Sequence, residues 1–164
     1  MKIIGIDNGT SGSFAMLTYG HAPSFGPMPT KMSLLGKKER RITRIDVDVL
    51  RHKIKWLPVF NDGNCKAYVE RPFTGRFLNA VLPAQRAFEA VLIALEQENV
   101  PYEVIDSKVW QKPLLGDVKG SENLKKASMH LGCGLYPELA PIIKDHGDAD
   151  GLLIAHYFAK MGST

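Results

Sequence analysis

Cysteine is scarce in this chain: Cys65 and Cys133 are the only two in 164 residues, and neither has a second cysteine near it. That spacing excludes a zinc knuckle or a disulfide framework, and both are expected to be reduced thiols. Long apolar runs are missing as well. No stretch approaches the roughly 20 residues that a membrane-spanning helix needs, so no membrane partner is expected. The N-terminus opens directly on a strand-like run and lacks the basic, apolar and small-residue regions of a signal peptide, which points to the cytoplasm. Internal repeats, low-complexity tracts and interdomain linkers are also lacking, so residues 1–164 read as one domain with a sizeable core.

What is present is an ordinary globular composition, 45% hydrophobic and 23% charged, with one uneven feature. Net charge is +4, yet residues 31–55 hold nine Lys/Arg against Glu39, Asp46 and Asp48, a local +6 that leaves −2 for the rest. A basic block on a nearly neutral body is the footprint of a polyanion partner. A solvated basic surface has the same composition, and the count alone leaves both open.

The opening stretch MKIIGIDNGTSGSFAML reads as a hairpin: an apolar strand through Ile6, a turn rich in Gly, Asn and Ser, and a second strand from Phe14. Asp7 stands at its mouth, either bonding its own turn backbone or presented to a metal. A short third strand is expected around Lys31–Leu35, and the basic run Lys37–Arg44 as a loop or strand edge. Asp46 caps a helix with apolar positions Val47, Leu50, Ile54 and Leu57, and Asn61–Asn64 is a turn. Lys66–Glu70 is a strand ending in a second acid. The clearest helix spans 83–98, its stripe running through Ala84, Ala87, Phe88, Val91, Leu92 and Leu95, with Pro83 in its first turn. Tyr102–Ile105 is a strand, Ser107–Leu115 a short helical piece, Ser121–Leu131 a basic helix, and a largely buried helix starts near Asp148–Asp150. A hairpin followed by helices alternating with strands implies an α/β fold with a mixed sheet.

Three acids thus end or begin elements: Asp7, Glu70 and Asp150. Mg²⁺ prefers such hard oxygen ligands. Two ions about 4 Å apart can activate a water and stabilise a leaving oxygen in phosphodiester hydrolysis. Asp148 lies two residues before Asp150, roughly 200° away around a regular helix, so both cannot face one metal pair from within it. Asp148 is alternatively an N-cap.

GIDNGTSG, YVERPF, a Trp-Gln-Lys segment, NLKKAS and DADGLLIAHYF, in that order, resemble the motifs of RuvC-like Holliday junction resolvases, particularly small phage-type members. The match covers most of the chain. The resemblance implies a ribonuclease-H-like fold with a mixed five-stranded sheet flanked by helices. It also implies Mg²⁺-dependent paired nicking of four-way junctions and other branched DNA, with Mn²⁺ as a substitute, by a homodimer in the cytoplasm (the host's, for a phage-encoded member). Carried over residue by residue, Asp7, Glu70 and Asp150 match metal ligands. The fourth ligand's usual place is Gly147, so Asp148 takes that role, with His146 and Asp145 as alternatives. Lys125 and Lys112 match basic residues facing the scissile phosphate, and Phe73 matches an aromatic that stacks on an unpaired base, unless it is a core Phe. Arg40 and Arg41 in the basic block would contact DNA phosphates, and helix 83–98 is a candidate dimer interface unless its stripe is core.

Three rivals remain. GIDNGTSG also resembles the phosphate loop of actin-like ATPases and sugar kinases, but those need two such domains and a second phosphate loop, and no nucleotide cofactor is expected here. A non-catalytic DNA-binding module would not need all three acids. A ribonuclease H acting on RNA–DNA hybrids shares the acids and is the nearest alternative.

Overall fold

The computed structural model describes residues 2–35, 40–55, 65–72 and 78–162. The opening hairpin forms as read: β1 (Lys2–Ile6) pairs antiparallel with β2 (Ser13–Thr18), Ile6 opposite Phe14. β3 (Ser24–Pro27) extends this meander antiparallel to β2. On the other side, β6 (Cys65–Glu70) runs parallel to β1 and β7 (Tyr102–Ile105) parallel to β6. The sheet is therefore mixed and five-stranded, with order β3-β2-β1-β6-β7.

The third strand of that sheet is not the one expected. Lys31–Leu35 lies in β4 (Thr30–Leu35), which pairs with β5 (Arg40–Ile45) as a separate two-stranded sheet. Pro27 and Pro29 explain the break, because neither offers the N–H that a continuing ladder needs. The chain leaves the large sheet there, tied down by Met28 N–H bonding Gly12 O at 2.9 Å and Asp46 N–H bonding Pro29 O at 2.8 Å.

Strand alternation divides the core in two. Ile4, Ile6, Ala67 and Val69 point to the face covered by α1 (Val47–Lys55) and α2 (Leu78–Gln97), where they meet Leu50, Ile54, Val91 and Leu95. Ile3, Ala15 and Ile105 point to the opposite face, against α6 (Asp150–Met161) and its neighbours α3 (Ser107–Leu115), α4 (Ser121–Leu135) and α5 (Ala140–His146). Asp46 caps α1 as expected, its Oδ1 accepting from Val49 N–H at 3.3 Å. The α2 stripe is core, leaving Leu82 and Ile93 exposed on its outer side. Pro83 is not in the first turn, because α2 starts at Leu78; the helix carries it internally, without an N–H for the carbonyl four residues back. Leu57 and the Asn61–Asn64 turn lie outside the described residues. Among the described residues no helix is long and apolar enough to cross a membrane.

Candidate metal centre

Register alone brings the first two acids together. Ile6 is opposite Val69 in the parallel pair, so the next residues, Asp7 and Glu70, emerge side by side. Their side chains fall on the face of Gly5 and Tyr68, toward α6: Tyr68 stacks on Phe158 of α6 with ring centroids 3.6 Å apart. The third acid arrives because α6 lies unusually close to β1. A Cβ on Gly5 would stand 2.1 Å from Gly151 O, and one on Gly151 would stand 2.7 Å from Ser13 O. Only two residues without side chains permit that approach, and it sets Asp150, the first residue of α6, over Asp7.

Carboxylate oxygens of Asp7, Asp148 and Asp150 lie within 4.8 Å of one another. The expected conflict between Asp148 and Asp150 is resolved by the helix start: α6 begins at Asp150, so Asp148 sits on non-helical backbone and turns toward the same point. Asp148 is not the N-cap. That position is Ala149, and its N–H bonds Ser128 Oγ at 3.1 Å. Asp148 Oδ1 accepts weakly from Asp150 N–H at 3.4 Å, and Ser13 Oγ accepts from Gly151 N–H at 2.9 Å. Serines from β2 and α4 thus do the capping, which frees Asp148 for the acidic cluster.

Gly147 cannot readily carry an acid in its place. It ends α5 in the left-handed region, φ 96°, where a side chain is strained. His146 approaches only indirectly: its Nε2 is 3.3 Å from Asp148 Oδ1, its ring meets Phe25 edge-on, and it lies outside the three-acid cluster. Asp145 is exposed on α5.

Two of the acids are oriented by a neighbour's donor. The indole N–H of Trp110, a fully buried residue of α3, donates to Glu70 Oε2 at 2.8 Å. The Ser128 hydroxyl bonds Asp150 Oδ1. The Asp7 carboxylate takes no hydrogen bond from the turn among the described residues; its N–H bonds Ser13 O at 3.0 Å instead. A Cβ on Gly12 would lie 2.2 Å from Asp7 O, so Gly12 makes room for Asp7 itself. Trp110, Ser128 and Ser13 were not among the expected site residues. A buried indole must find an acceptor, which was the one available signal for Trp110.

The electrostatics are those of a site short of positive charge. Burial, then repulsion by Asp150, Glu70 and Asp148, holds the Asp7 carboxyl well above its ordinary value. Burial pushes Glu70 up to about 7 against the opposing Trp110 bond, and pushes Asp150 up to about 6 against the Ser128 bond. The nearest cation among the described residues, Lys125 Nζ, is 3.8 Å from Asp148 Oδ2, with its side chain 60% exposed. Buried, converging, all-oxygen donors with one peripheral ammonium fit a hard divalent cation. Lys112 is exposed on α3, in a groove of about 300 Å³ between α3 and α4. Arg40 and Arg41 fall on β5, with side chains outside the described residues, as is all of Phe73.

No family model and no curated protein matches the sequence. Solved structures do match. RuvC of T. thermophilus in complex with a Holliday junction substrate aligns with TM-score 0.57 at 16% identity, over 99% of this chain and 98% of that one. A second Thermus thermophilus RuvC structure gives 0.54 at 18%, over 99% and 97%. The chain has the ribonuclease-H-like fold of these structures, in agreement with the expected mixed five-stranded sheet flanked by helices.

Proposed function

We propose that this chain is a Holliday junction resolvase: a structure-selective endodeoxyribonuclease, one domain per chain, that nicks four-way junctions and related branched DNA in symmetric pairs. The observation that carries this reading is the convergence of Asp7, Asp148 and Asp150 beside Glu70, on a fold shared with proteins described as RuvC. Asp7, Asp148 and Asp150 would hold Mg²⁺ (or Mn²⁺), with Glu70 completing the ligand set for a second ion. Bound there, divalent metal supplies a water of lowered pKa and positive charge at the reacting phosphate.

The chain's own groups prepare that chemistry. Trp110 holds one Glu70 oxygen and so orients that carboxylate. Ser128 fixes Asp150 in the same way. Lys125, at the rim beside Asp148, is placed to meet a phosphate or a developing oxyanion. Lys112 on α3 and Arg40 and Arg41 on β5 would contact phosphates, and Phe73 a base at the crossover. A two-fold homodimer would match the two-fold symmetry of a junction and give the paired cuts. The working compartment would be the cytoplasm.

The test is purified protein with a synthetic four-way junction, a linear duplex and an RNA–DNA hybrid, each with Mg²⁺ or EDTA. Paired, Mg²⁺-dependent nicks confined to the junction are expected. Cleavage of the hybrid alone would replace this reading with a ribonuclease H, and ATP consumption without nicking would remove the nuclease altogether.

A further inference from the structure

The basic block between residues 31 and 55 is partly neutralised. Lys31 is held by Asp46 and Asp48 at 3.3 and 3.8 Å, and Arg51 by Glu98 at 2.7 Å. Arg44 forms no ion pair among the described residues, and neither does Arg86 on α2. Yet the two arginines line the same crevice, where β5 packs against α2, together with Thr10 and Thr43. Thr10 belongs to the turn after Asp7. That turn is tied to α2 as well, since Asn8 Nδ2 donates to Ala84 O at 3.3 Å.

Hairpin, helix and active-site turn therefore meet at one crevice, lined among the described residues by two arginines and two threonines but by no Asp or Glu. Two cationic residues beside one crevice with no acid in its lining favour an anion there. The crevice, about 20 Å³, is the size that takes one water-sized atom. A single oxygen of a phosphodiester fits it, and arginine is the side chain suited to grip such an oxygen. Three residues separate Thr10 from Asp7, a reach of at most about 11 Å. At about 3.4 Å of axis per nucleotide of one strand, that puts the Thr10 end of the crevice within roughly three nucleotides of Asp7.

We propose that Arg44 and Arg86, with Thr10 and Thr43, form a phosphate clamp that grips the DNA backbone beside the acidic centre, and that the β4–β5 hairpin supplies its outer arm. The clamp rests on the nuclease reading above. It is a binding element; the reaction itself stays with the acids.

The experiment uses the Asp7→Asn protein, which should bind without cutting, and a labelled four-way junction titrated at several salt concentrations. Each phosphate contact contributes about 0.9 to the log–log salt slope, equivalent to about eightfold in affinity at 0.1 M salt. Adding Arg44→Ala and Arg86→Ala should therefore flatten the slope by about two and weaken binding by roughly sixtyfold at that salt. Arg→Lys at both positions should keep the slope. If the alanine pair melts lower, Arg→Gln replaces it and preserves the side-chain stem. Unchanged slope and affinity in a parent that binds the junction would sink the clamp alone. A parent that binds no DNA would sink the nuclease reading and the clamp with it.

Discussion

Replacing Asp7 by Asn should stabilise the metal-free protein while abolishing cutting. Three raised carboxyls share one buried corner: Glu70 at about 7 against an ordinary 4.5, Asp150 at about 6 against 3.8, and Asp7 well above its ordinary value. An acid whose folded-state pKa is raised binds more protons folded than unfolded. Stability is then fully present at low pH and is lost as pH rises from the unfolded value through the folded one, here between about 4 and 7. At about 1.4 kcal/mol per tenfold change in proton affinity, ionising Glu70 costs the fold roughly 3 kcal/mol. For a domain of this size that is on the order of 10 °C in melting temperature. Other groups behave differently. Asp46 and Asp106 are lowered by hydrogen bonds to backbone N–H groups, and their stabilisation is lost only below the ordinary carboxylate range. His156, lowered by burial, gains stability with rising pH. Asp7→Asn leaves those contributions in place and removes one charge from the corner. Thermal melts in EDTA at pH 5 and pH 8 should therefore show the wild type losing markedly more stability than the variant over that interval. Adding Mg²⁺ at pH 8 should rescue the wild type far more than the variant. Equal pH dependence in the two proteins would refute the account of the site as electrostatically frustrated without metal.

The remaining expectations concern the supports. Trp110→Phe keeps an aromatic ring but removes the donor to Glu70 and part of a buried indole; it should cost more than the roughly 1–2 kcal/mol of the hydrogen bond alone and raise the Mg²⁺ concentration needed for half-maximal cutting, read from a metal titration. Gly151→Ala drives a Cβ against Ser13 backbone at 2.7 Å and should cost about 1–3 kcal/mol in denaturant melts, with cutting lost more than stability explains. Asp148→Ala should abolish nicking while His146→Ala retains it; the reverse result would give the fourth ligand role to the histidine.

Much of this was legible in the residues because it rests on local patterns. The β1–β2 hairpin, the α2 stripe and the buried start of α6 follow from apolar periodicity, and Asp7 and Glu70 from their places at strand ends. β3 escaped because Ser-Phe-Gly-Pro has no strand signature of its own; pairing with β2 supplies the order. The β4–β5 hairpin reads only as one short strand and a basic run, since its Lys and Arg residues give no apolar alternation to detect. Asp148 was hard to place because helix geometry argued against it, and the actual helix start depends on serines more than twenty residues away in the chain. Those serines and Trp110 act through tertiary contacts that no spacing rule encodes.

The close approach of Gly5 and Gly151 has a consequence for how this centre tolerates change. The separation of Asp7 from Asp150 is a main-chain dimension, fixed where strand backbone rests on helix backbone with nothing between. Side chains packed elsewhere do not enter that gauge, because no side chain lies between the two backbones. Acids at strand ends are common. A strand glycine two residues before one acid, facing a helix glycine directly after another, is not. In this chain that pair of missing methyl groups, as much as the carboxylates, defines the centre.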